Sequence, residues 1–371
     1  MRIDGPVSST HSLDIARRVG NTQSRFSSVD KAMSKFLVIG QGSMGKRRVR
    51  CLLANGVAAE RIVVFDTRND RLKESVEKYQ ITASSDFALA LKDPDLTAVL
   101  VSVPGFLHME YCLAAARAGK HWFCEVPLAI HLDGLDELRG LTCAKSLVAA
   151  PGCQLLFHPL GRAFKAWSES PEGHPILAAS YTMGTYLPDW HPHEDYRKFY
   201  ASNKSMGGGN LDIIAQELTW IRCAITQPMV AVSCRTSKTS ALELSKGTPD
   251  HHEIVVEFAD GLMLSMHFDL LDRSHERVAR FITDHSTLKW SNLDAGLQIY
   301  DYTEKTWKRE PQPGGYDYEW CYQEEIGQFL RCIEKREPWP IAIETAEEIV
   351  RFLLAIEKSD NTKRIIYLAD V

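Results

Sequence analysis

The sequence lacks three features that would each indicate a particular class of protein. It has no apolar run near the roughly 18 residues that a membrane-spanning helix needs. It has no basic excess, because 43 Lys and Arg face 48 Asp and Glu, for a net charge of −5. Its nine cysteines include no Cys-x-x-Cys pair. We therefore expect no membrane or nucleic-acid partner, no metal site, and reduced cysteines in a cytoplasmic protein.

What the sequence does contain is a glycine-rich turn between a strand pattern and a helix pattern. The apolar run Phe36–Ile39 precedes Gly40, Gly42 and Gly45, which form G-x-G-x-x-G, and a helical pattern continues to Leu53. The first glycine permits the tight turn, the second lets a pyrophosphate approach the backbone, and the third lets the helix pack on the strand. The N–H groups at the helix start can then bind phosphate. This pattern predicts a dinucleotide site.

A second strand pattern ends at an acidic residue that fits the same site. Arg61–Phe65 is followed by Asp66, 21 residues after Gly45. A carboxylate there can bind the ribose of an adenosine, and it would repel a 2′-phosphate. NAD is therefore the favoured cofactor. NADP stays as the alternative, because Arg68 can pair with that phosphate.

The order of the patterns predicts two domains, of classes α/β and α+β. Between residues 35 and 152 strand and helix patterns alternate, which predicts a doubly wound parallel Rossmann sheet. Between residues 153 and 371 six strand patterns dominate, and Ala259–Gly261 has the composition of a hairpin turn. These patterns predict an antiparallel sheet of about six strands with helices on one face. This second domain is expected to bind substrate and to mediate oligomerisation.

The two ends of the chain carry separate expectations. Two closing helical patterns, Trp320–Lys335 and Thr345–Ser359, are expected to pack back on the Rossmann domain. Residues 1–34 are rich in Ser and Arg and show no apolar periodicity. We expect them to form a disordered or loosely docked extension.

Several motifs together resemble the glucose–fructose oxidoreductase / inositol dehydrogenase (Gfo/Idh/MocA) family over residues 35–371. Besides the glycine turn and Asp66, the motifs are Val101–Pro104 with His108, Cys124–Pro127, Phe157–Pro159, Gly207–Asp212 and the helix from Tyr322 to Phe329. The stretch Tyr186–Arg197 is similar to the branch that acts on amino- or nucleotide-linked sugars. The resemblance implies hydride transfer between a sugar and a nicotinamide cofactor. It also implies a homodimer or homotetramer formed through the second sheet.

The resemblance also implies a set of cofactor-binding positions. They are Gly40, Gln41, Gly42, Ser43, Met44, Gly45, Asp66, Arg68, Ser102, Val103, Pro104, His108, Glu125, Val126 and Pro127. Glu125 is expected to contact the nicotinamide ribose. The peptide bond before Pro127 has cis and trans as open alternatives.

The sequence departs from the family at the two residues that normally handle the proton. The family's lysine in Glu-Lys-Pro is Val126, and its histidine in the helix after the glycines is Gln216. Neither side chain accepts a proton near neutral pH, and general acid–base catalysis is worth roughly 10²–10⁴-fold. We therefore expect the proton chemistry to be transferred to Asp212, His191 or His193, with Gln216 beside them. The alternative is a catalytically inactive relative that binds dinucleotide and sugar in a regulatory or scaffold role.

The individual site candidates each have an alternative interpretation. Asp212 lies one helical turn from Gln216, and three roles are open for it. It acts as a general base, orients a substrate hydroxyl, or only caps its helix. Three roles are open for His191 and His193: proton acceptors, two ligands of a metal ion, or surface-loop residues without a functional role. His158 touches substrate or braces the domain crossover. Two roles are open for the loop residues Tyr186, Trp190, Tyr196 and Arg197. They supply a stacking face and a charge for the sugar, or they only pack the loop.

Overall fold

The structure is a computed structural model that describes residues 34–190, 192, 194–294, 296–314 and 316–371. Residues 1–33, which include nearly all of the expected extension, lie outside the described residues. His191 and His193 also lie outside them, so the predictions about these two side chains stay predictions.

Strands and helices alternate through the first part of the described chain. In order they are β1 (Lys35–Ile39), α1 (Ser43–Ala54), β2 (Ile62–Phe65), α2 (Asn69–Tyr79), β3 (Thr82–Ala83), α3 (Phe87–Leu91), β4 (Leu96–Val101), α4 (His108–Arg117), β5 (His121–Cys124), α5 (Leu135–Ala144) and β6 (Ala149–Pro151). The strands form one parallel sheet in the order β3-β2-β1-β4-β5-β6. Because helices cover both faces of such a sheet, neighbouring residues such as Leu37 and Val38 are both buried. The predicted doubly wound Rossmann sheet is confirmed.

The later part of the described chain builds a second sheet. Its elements are α6 (Pro159–Ser168), β7 (Ala178–Gly184), α7 (Leu187–Trp190), α8 (Leu211–Ile221), β8 (Met229–Ser237), β9 (His251–Phe258), β10 (Met263–Asp269), β11 (Arg277–Ile282), β12 (Ser286–Ser291), β13 (Gly296–Asp301), β14 (Thr306–Pro311), α9 (Glu319–Lys335), α10 (Ile343–Thr362) and β15 (Ile366–Tyr367). The strand order is β14-β13-β12-β11-β7-β10-β9-β8-β15.

The second sheet corrects the prediction in two respects. Nine strands are present among the described residues, because β12, β14 and β15 add to the six predicted. The sheet is mostly antiparallel, but β7 and β10 pair in parallel. The reason is topological: hairpins join β8, β9 and β10, whereas β7 reaches β10 only after a long crossover through α8, β8 and β9.

One face of the second sheet is covered and the other is open. Along β9 the residues His252, Ile254 and Val256 are buried, whereas the alternate residues Glu253 and Glu257 are exposed. The buried residues join a core cluster with α8 and α10. This period of two is the pattern of a sheet with one packed face.

The two closing helices contact both sheets. Glu319, at the start of α9, pairs with Arg47 and Arg50 of α1, each at 2.9 Å. Val350 of α10 packs in the core cluster of the Rossmann sheet, while Glu348 of the same helix accepts a 2.8 Å hydrogen bond from the N–H of Met229 in β8.

Division of the chain into two domains at residue 152 stays a prediction. No helix among the described residues is both long and apolar enough to cross a bilayer.

Candidate functional site

The three glycines of the first turn have distinct environments. Gly40 has φ +84°, and a Cβ there would lie 2.3 Å from the carbonyl oxygen of Ser102. A Cβ on Gly45 would lie 1.7 Å from the carbonyl oxygen of Gly40. A Cβ on Gly42 would meet only the Nη1 of Arg71, at 3.7 Å. Packing therefore requires the first and third glycines, and the second faces open space that a pyrophosphate can enter.

Asp66 holds the glycine turn in place from the end of β2. Its carboxylate accepts hydrogen bonds from the backbone N–H of Gln41 at 2.6 Å and of Arg68 at 2.8 Å. A carboxylate has about four acceptor sites, so sites remain for the hydroxyl groups of a ribose. The residues present fit a dinucleotide.

The surroundings of Arg68 bear on the choice of cofactor. Its guanidinium is bonded to Asp70, with Nε 3.1 Å from Oδ1. The hydrogen bond from Arg68 to Asp70 raises the pKa of the guanidinium, and the charges of Asp70, Asp66 and Glu194 add to the effect. A 2′-phosphate would meet these three carboxylates and would have to displace Asp70. The local charge therefore favours NAD over NADP.

His108 joins the two strand-end loops that follow β4 and β5. Its Nδ1 lies 2.7 Å from the carbonyl oxygen of Pro127, and its Nε2 lies 2.8 Å from that of Val103. The ring is buried, and burial lowers its pKa. A neutral ring has one N–H, so it donates a hydrogen bond to one of these carbonyl oxygens and lies against the other. His108 therefore braces the two loops, and a direct contact with the cofactor stays a prediction. The Val126–Pro127 peptide bond is cis.

A buried arginine connects the cofactor loops to the closing helix. Arg48 of α1 is fully buried, and its Nε and Nη2 bind both oxygens of Glu125, at 2.6 and 2.9 Å. Its Nη1 binds Glu325 of α9 at 2.6 Å, and Glu325 also accepts the N–H of Cys153 at 2.6 Å. Glu125 is thereby fixed at the end of β5. The sequence analysis missed Arg48 and Glu325, because their partners are far apart along the chain.

A tyrosine–carboxylate pair lies where the second domain meets the cofactor loops. The Tyr200 hydroxyl donates a hydrogen bond to Oδ2 of Asp212, in the first turn of α8. Oδ1 of Asp212 is buried and has no hydrogen-bond partner. Gly207, which precedes α8, lies close to the β5 loop: a Cβ on Gly207 would be 3.6 Å from Ile130, just beyond that loop. Tyr200 was not singled out from the sequence.

The electrostatics of this pair suit proton transfer. Burial raises the pKa of Asp212, and the hydrogen bond from Tyr200 opposes that rise. Burial, followed by the charge of Asp212 and the hydrogen bond to it, raises the pKa of Tyr200 well above its usual value, and the charge of Glu125 contributes. A carboxylate with a raised pKa is a stronger base, so the chemistry of Asp212 suits a proton acceptor.

Gln216 and Val126, the two positions expected to depart from the family, lie on α8 and in the β5 loop. Gln216 is half-buried on α8, one turn after Asp212, and its side chain makes no hydrogen bond to another described residue. Val126 is half-buried in the β5 loop. At these two positions the cleft contains no group that accepts a proton near neutral pH.

The aromatic loop residues are used mainly for packing within their own loop. Tyr186 lies under the guanidinium of Arg273, with 3.7 Å from Cζ to the ring centroid. Trp190 packs against Phe199 with ring centroids 5.7 Å apart. Both rings border a small apolar cluster. Their position therefore agrees with the packing alternative, and substrate contact stays a prediction.

The polar candidates of this loop are engaged as well. The Tyr196 hydroxyl accepts the N–H of Glu243 at 3.1 Å. Arg197 is exposed, and its Nε binds Oδ1 of Asp195 at 2.7 Å. The guanidinium of Arg197 is thus paired with Asp195, and its contact with a sugar stays a prediction.

The contacts of His158 agree with the alternative in which it braces the domain crossover, and substrate contact stays a prediction. Its Nδ1 accepts the N–H of Leu160 at 3.1 Å and so caps α6. The ring packs edge-on against Tyr316, with centroids 4.8 Å apart, and burial lowers its pKa to about 4. His158 therefore braces the domain crossover as a neutral helix cap.

Comparison with known proteins agrees with this geometry. Residues 34–152 match the model of the Gfo/Idh/MocA oxidoreductase family with an NAD-binding Rossmann fold. The chain is 25% identical to myo-inositol 2-dehydrogenase of Thermotoga maritima over 329 residues, covering 83% of this chain and 91% of that protein. It is 33% identical to 1,5-anhydro-D-fructose reductase of Ensifer adhaerens over 178 residues, covering 47% of this chain and 51% of that protein.

Solved structures show the same fold across both domains. A levoglucosan dehydrogenase in complex with NADH and levoglucosan aligns with TM-score 0.79 at 19% identity, covering 90% of this chain and 99% of that one. GenD2 from gentamicin A biosynthesis, in complex with NAD, aligns with TM-score 0.75 at 17% identity, covering 90% and 96%.

The fold and the glycine turn define an oxidoreductase with an NAD-binding Rossmann domain. The chain is similar to the Gfo/Idh/MocA family: its residues 34–152 match the family model, and the described fold is shared with dehydrogenase structures.

Proposed function

We propose that the protein is an NAD-dependent oxidoreductase that acts on a carbinol carbon of a sugar or a cyclic polyol. The names of its relatives, which are inositol and anhydro-sugar enzymes, support this substrate class. The carboxylates around Arg68 support NAD as the cofactor. The nicotinamide ring supplies the hydride acceptor or donor, and the protein supplies orientation and proton transfer.

The hydrogen bond between Tyr200 and Asp212 carries the proposal for the proton. As the alcohol is oxidised, its hydroxyl proton passes to the Tyr200 oxygen, and the Tyr200 proton passes to the Asp212 carboxylate. The carbon-bound hydrogen leaves as hydride to the cofactor, so the alcohol loses one hydride, which carries both electrons, and one proton, which passes to the relay. The raised pKa of Asp212 supports its role as the final acceptor. This pair would replace the lysine and histidine that Val126 and Gln216 displace.

The test is a substrate screen followed by two matched pairs of variants. Inositols, anhydro sugars, amino sugars and nucleotide sugars are screened with NAD for NADH absorbance. Asp212→Asn and Tyr200→Phe should each lower kcat by roughly 10²–10⁴-fold, the usual value of general acid–base catalysis. Affinity for NADH, measured by fluorescence, should not change. Asp284→Asn and Tyr302→Phe, at exposed sites outside the cleft, serve as controls.

The outcome separates this pair from the loop histidines. Full activity in both Asp212→Asn and Tyr200→Phe would overturn the proposed relay. His191→Ala and His193→Ala then become the variants to compare, since their predicted role as proton acceptors remains open.

A second candidate is a non-catalytic protein that binds dinucleotide and sugar. The observation that favours it is the pair Val126 and Gln216, which offers no proton acceptor in the cleft. It predicts NADH binding without turnover of any substrate in the screen. The double variant Val126→Lys with Gln216→His would then be expected to create activity. If the relay operates instead, the same variant should change kcat by less than the loss seen in Asp212→Asn.

The predicted oligomer is part of the same proposal. The open face of the second sheet is the surface expected to pair two copies. Sedimentation analysis should find a dimer or tetramer, and an exposed strand residue such as Arg280 is the site at which to disturb it.

A further inference from the structure

Four polar side chains meet on the open face of the second sheet. In the antiparallel pair β9–β10, His267 lies opposite Glu253 and Asp269 lies opposite His251. The residue between the two β9 members, His252, is buried on the covered face. The four side chains therefore project from the face opposite α8, and the cluster is separate from the Tyr200–Asp212 cleft.

The cluster has the spacing of a metal site. Oε1 of Glu253 lies 3.1 Å from Nε2 of His251 and 2.9 Å from Nδ1 of His267. One ligand atom from each of the three residues lies within 4.8 Å of the other two. Zn²⁺ binds nitrogen and carboxylate oxygen at about 2.0–2.2 Å in tetrahedral geometry, which places ligand atoms roughly 3.3 Å apart. A zinc ion therefore fits after small side-chain shifts.

The other nitrogen of each histidine is already bound in the way that metal ligands require. Nδ1 of His251 lies 3.0 Å from the Ser237 hydroxyl, and Nε2 of His267 lies 2.9 Å from Oδ2 of Asp269. A histidine that ligates a metal normally donates its remaining N–H to a carboxylate, a carbonyl or a water. Asp269 and Ser237 therefore orient the two rings so that Nε2 of His251 and Nδ1 of His267 face Glu253.

The charge of Glu253 is available to a cation. Among the described residues it forms no ion pair with Lys or Arg. Arg235 lies opposite Glu253 on β8, but its guanidinium donates to the carbonyl oxygens of Cys234 at 2.7 Å and Lys363 at 3.0 Å. Glu253 is half-exposed, so an ion can reach it from solvent.

We propose that His251, Glu253 and His267 form a site for a divalent transition-metal ion, with Zn²⁺ as the best match to two imidazoles and one carboxylate. Asp269 and Ser237 orient the two histidines, and the fourth coordination position is open to water. The site lies outside the hydride-transfer cleft, so its test by metal binding does not depend on catalytic activity. The sequence analysis predicted no metal site.

The test uses full-length protein without a polyhistidine tag, stripped with a chelator. Calorimetric titration with Zn²⁺ should show one ion per chain, and Co²⁺ should give the visible spectrum of a site with nitrogen and oxygen ligands. His251→Ala and His267→Ala should abolish binding, whereas Asp269→Asn should weaken it by roughly 10–100-fold, as for other residues that orient ligands. The matched controls are Glu257→Gln, on the same face of β9, and the exposed His285→Ala.

Two results would overturn the site. One is the absence of stoichiometric Zn²⁺ binding in the unaltered protein. The other is binding that survives in both histidine variants, for example with the Co²⁺–thiolate absorption of cysteine ligands. Circular dichroism checks that each variant is folded. If an alanine variant is unfolded, His251→Asn or His267→Asn is used in its place.

Discussion

The cofactor side and the proton side of the cleft differ in how they are built. The cofactor side depends on backbone geometry, in which Gly40 and Gly45 have no room for a side chain. The proton side depends on titratable side chains, and Val126 and Gln216 are not titratable. Backbone geometry tolerates few substitutions, whereas a proton acceptor can be supplied from any element that reaches the same point. Asp212, which is hydrogen-bonded to Tyr200, is the residue proposed for that role in this chain.

The largest expected effect comes from breaking the connection between the cofactor loops and the closing helix. Arg48→Met leaves the buried carboxylates of Glu125 and Glu325 without their cation. Removing one member of a buried charge network typically costs about 3–5 kcal/mol, and the free energy of unfolding, measured with urea, should fall by that amount. The exposed Arg364→Met is the control and should stay within about 0.5 kcal/mol. Equal losses in both variants would contradict the role of Arg48.

The next test concerns the backbone geometry of the cofactor side. Gly45→Ala places a methyl group against the Gly40 carbonyl, and overpacking of this kind costs about 1–3 kcal/mol. NADH affinity, measured by fluorescence titration, should fall by roughly 10–100-fold. Gly140→Ala is the matched control, because a Cβ there meets no atom within 4 Å and lies inside α5. Unchanged affinity in Gly45→Ala would show that the turn does not hold the cofactor.

A pH profile of kcat tests the proton side of the cleft. Asp212 must be ionised to accept a proton, so kcat should fall as the pH drops through its raised pKa, above the usual value of about 3.9. Tyr200→Phe removes a hydrogen bond that lowers this pKa, so the acidic limb of the residual activity should move to higher pH. A hydrogen bond to a charged group is worth about 1.5–3 kcal/mol, or roughly 1–2 pH units. An unmoved limb would exclude Asp212 as the titrating group.

The smallest expected effect tests the preference for NAD. Asp66→Asn keeps an acceptor for the glycine turn but removes a negative charge near the ribose. An exposed charge pair is worth up to about 1 kcal/mol, so the ratio of NAD to NADP affinity should fall by roughly fivefold. Asp284→Asn is the control. A ratio that does not change would mean that Asp70 and Glu194 set the preference.

The sequence was most informative where short-range patterns decide the structure. The glycine turn, Asp66 and the strand from Leu96 to Val101 follow from apolar runs and turn residues that are close together along the chain. Strands β12 and β14 were missed. Ser286–Ser291 mixes polar and apolar residues, and Thr306–Pro311 is a largely exposed edge strand whose composition does not indicate burial.

The side-chain pairs of the site could not be predicted for a related reason. Arg48 contacts carboxylates 77 and 277 positions away, so no local pattern marks it as buried. Tyr200 meets Asp212 through a loop whose path depends on tertiary packing. The cluster of His251, Glu253 and His267 needs the register of β9 on β10, which the turn at Ala259–Gly261 only suggests.

The packing of the last two helices limits how this protein can be divided or recombined. A fragment that ends at residue 152 would lose Glu325 and leave Arg48 buried beside one carboxylate instead of two. It would also lose Ile343 and Val350, which complete one side of the Rossmann core. A chimera that exchanges substrate domains between relatives should therefore retain this chain's own α9 and α10 together with its nucleotide domain.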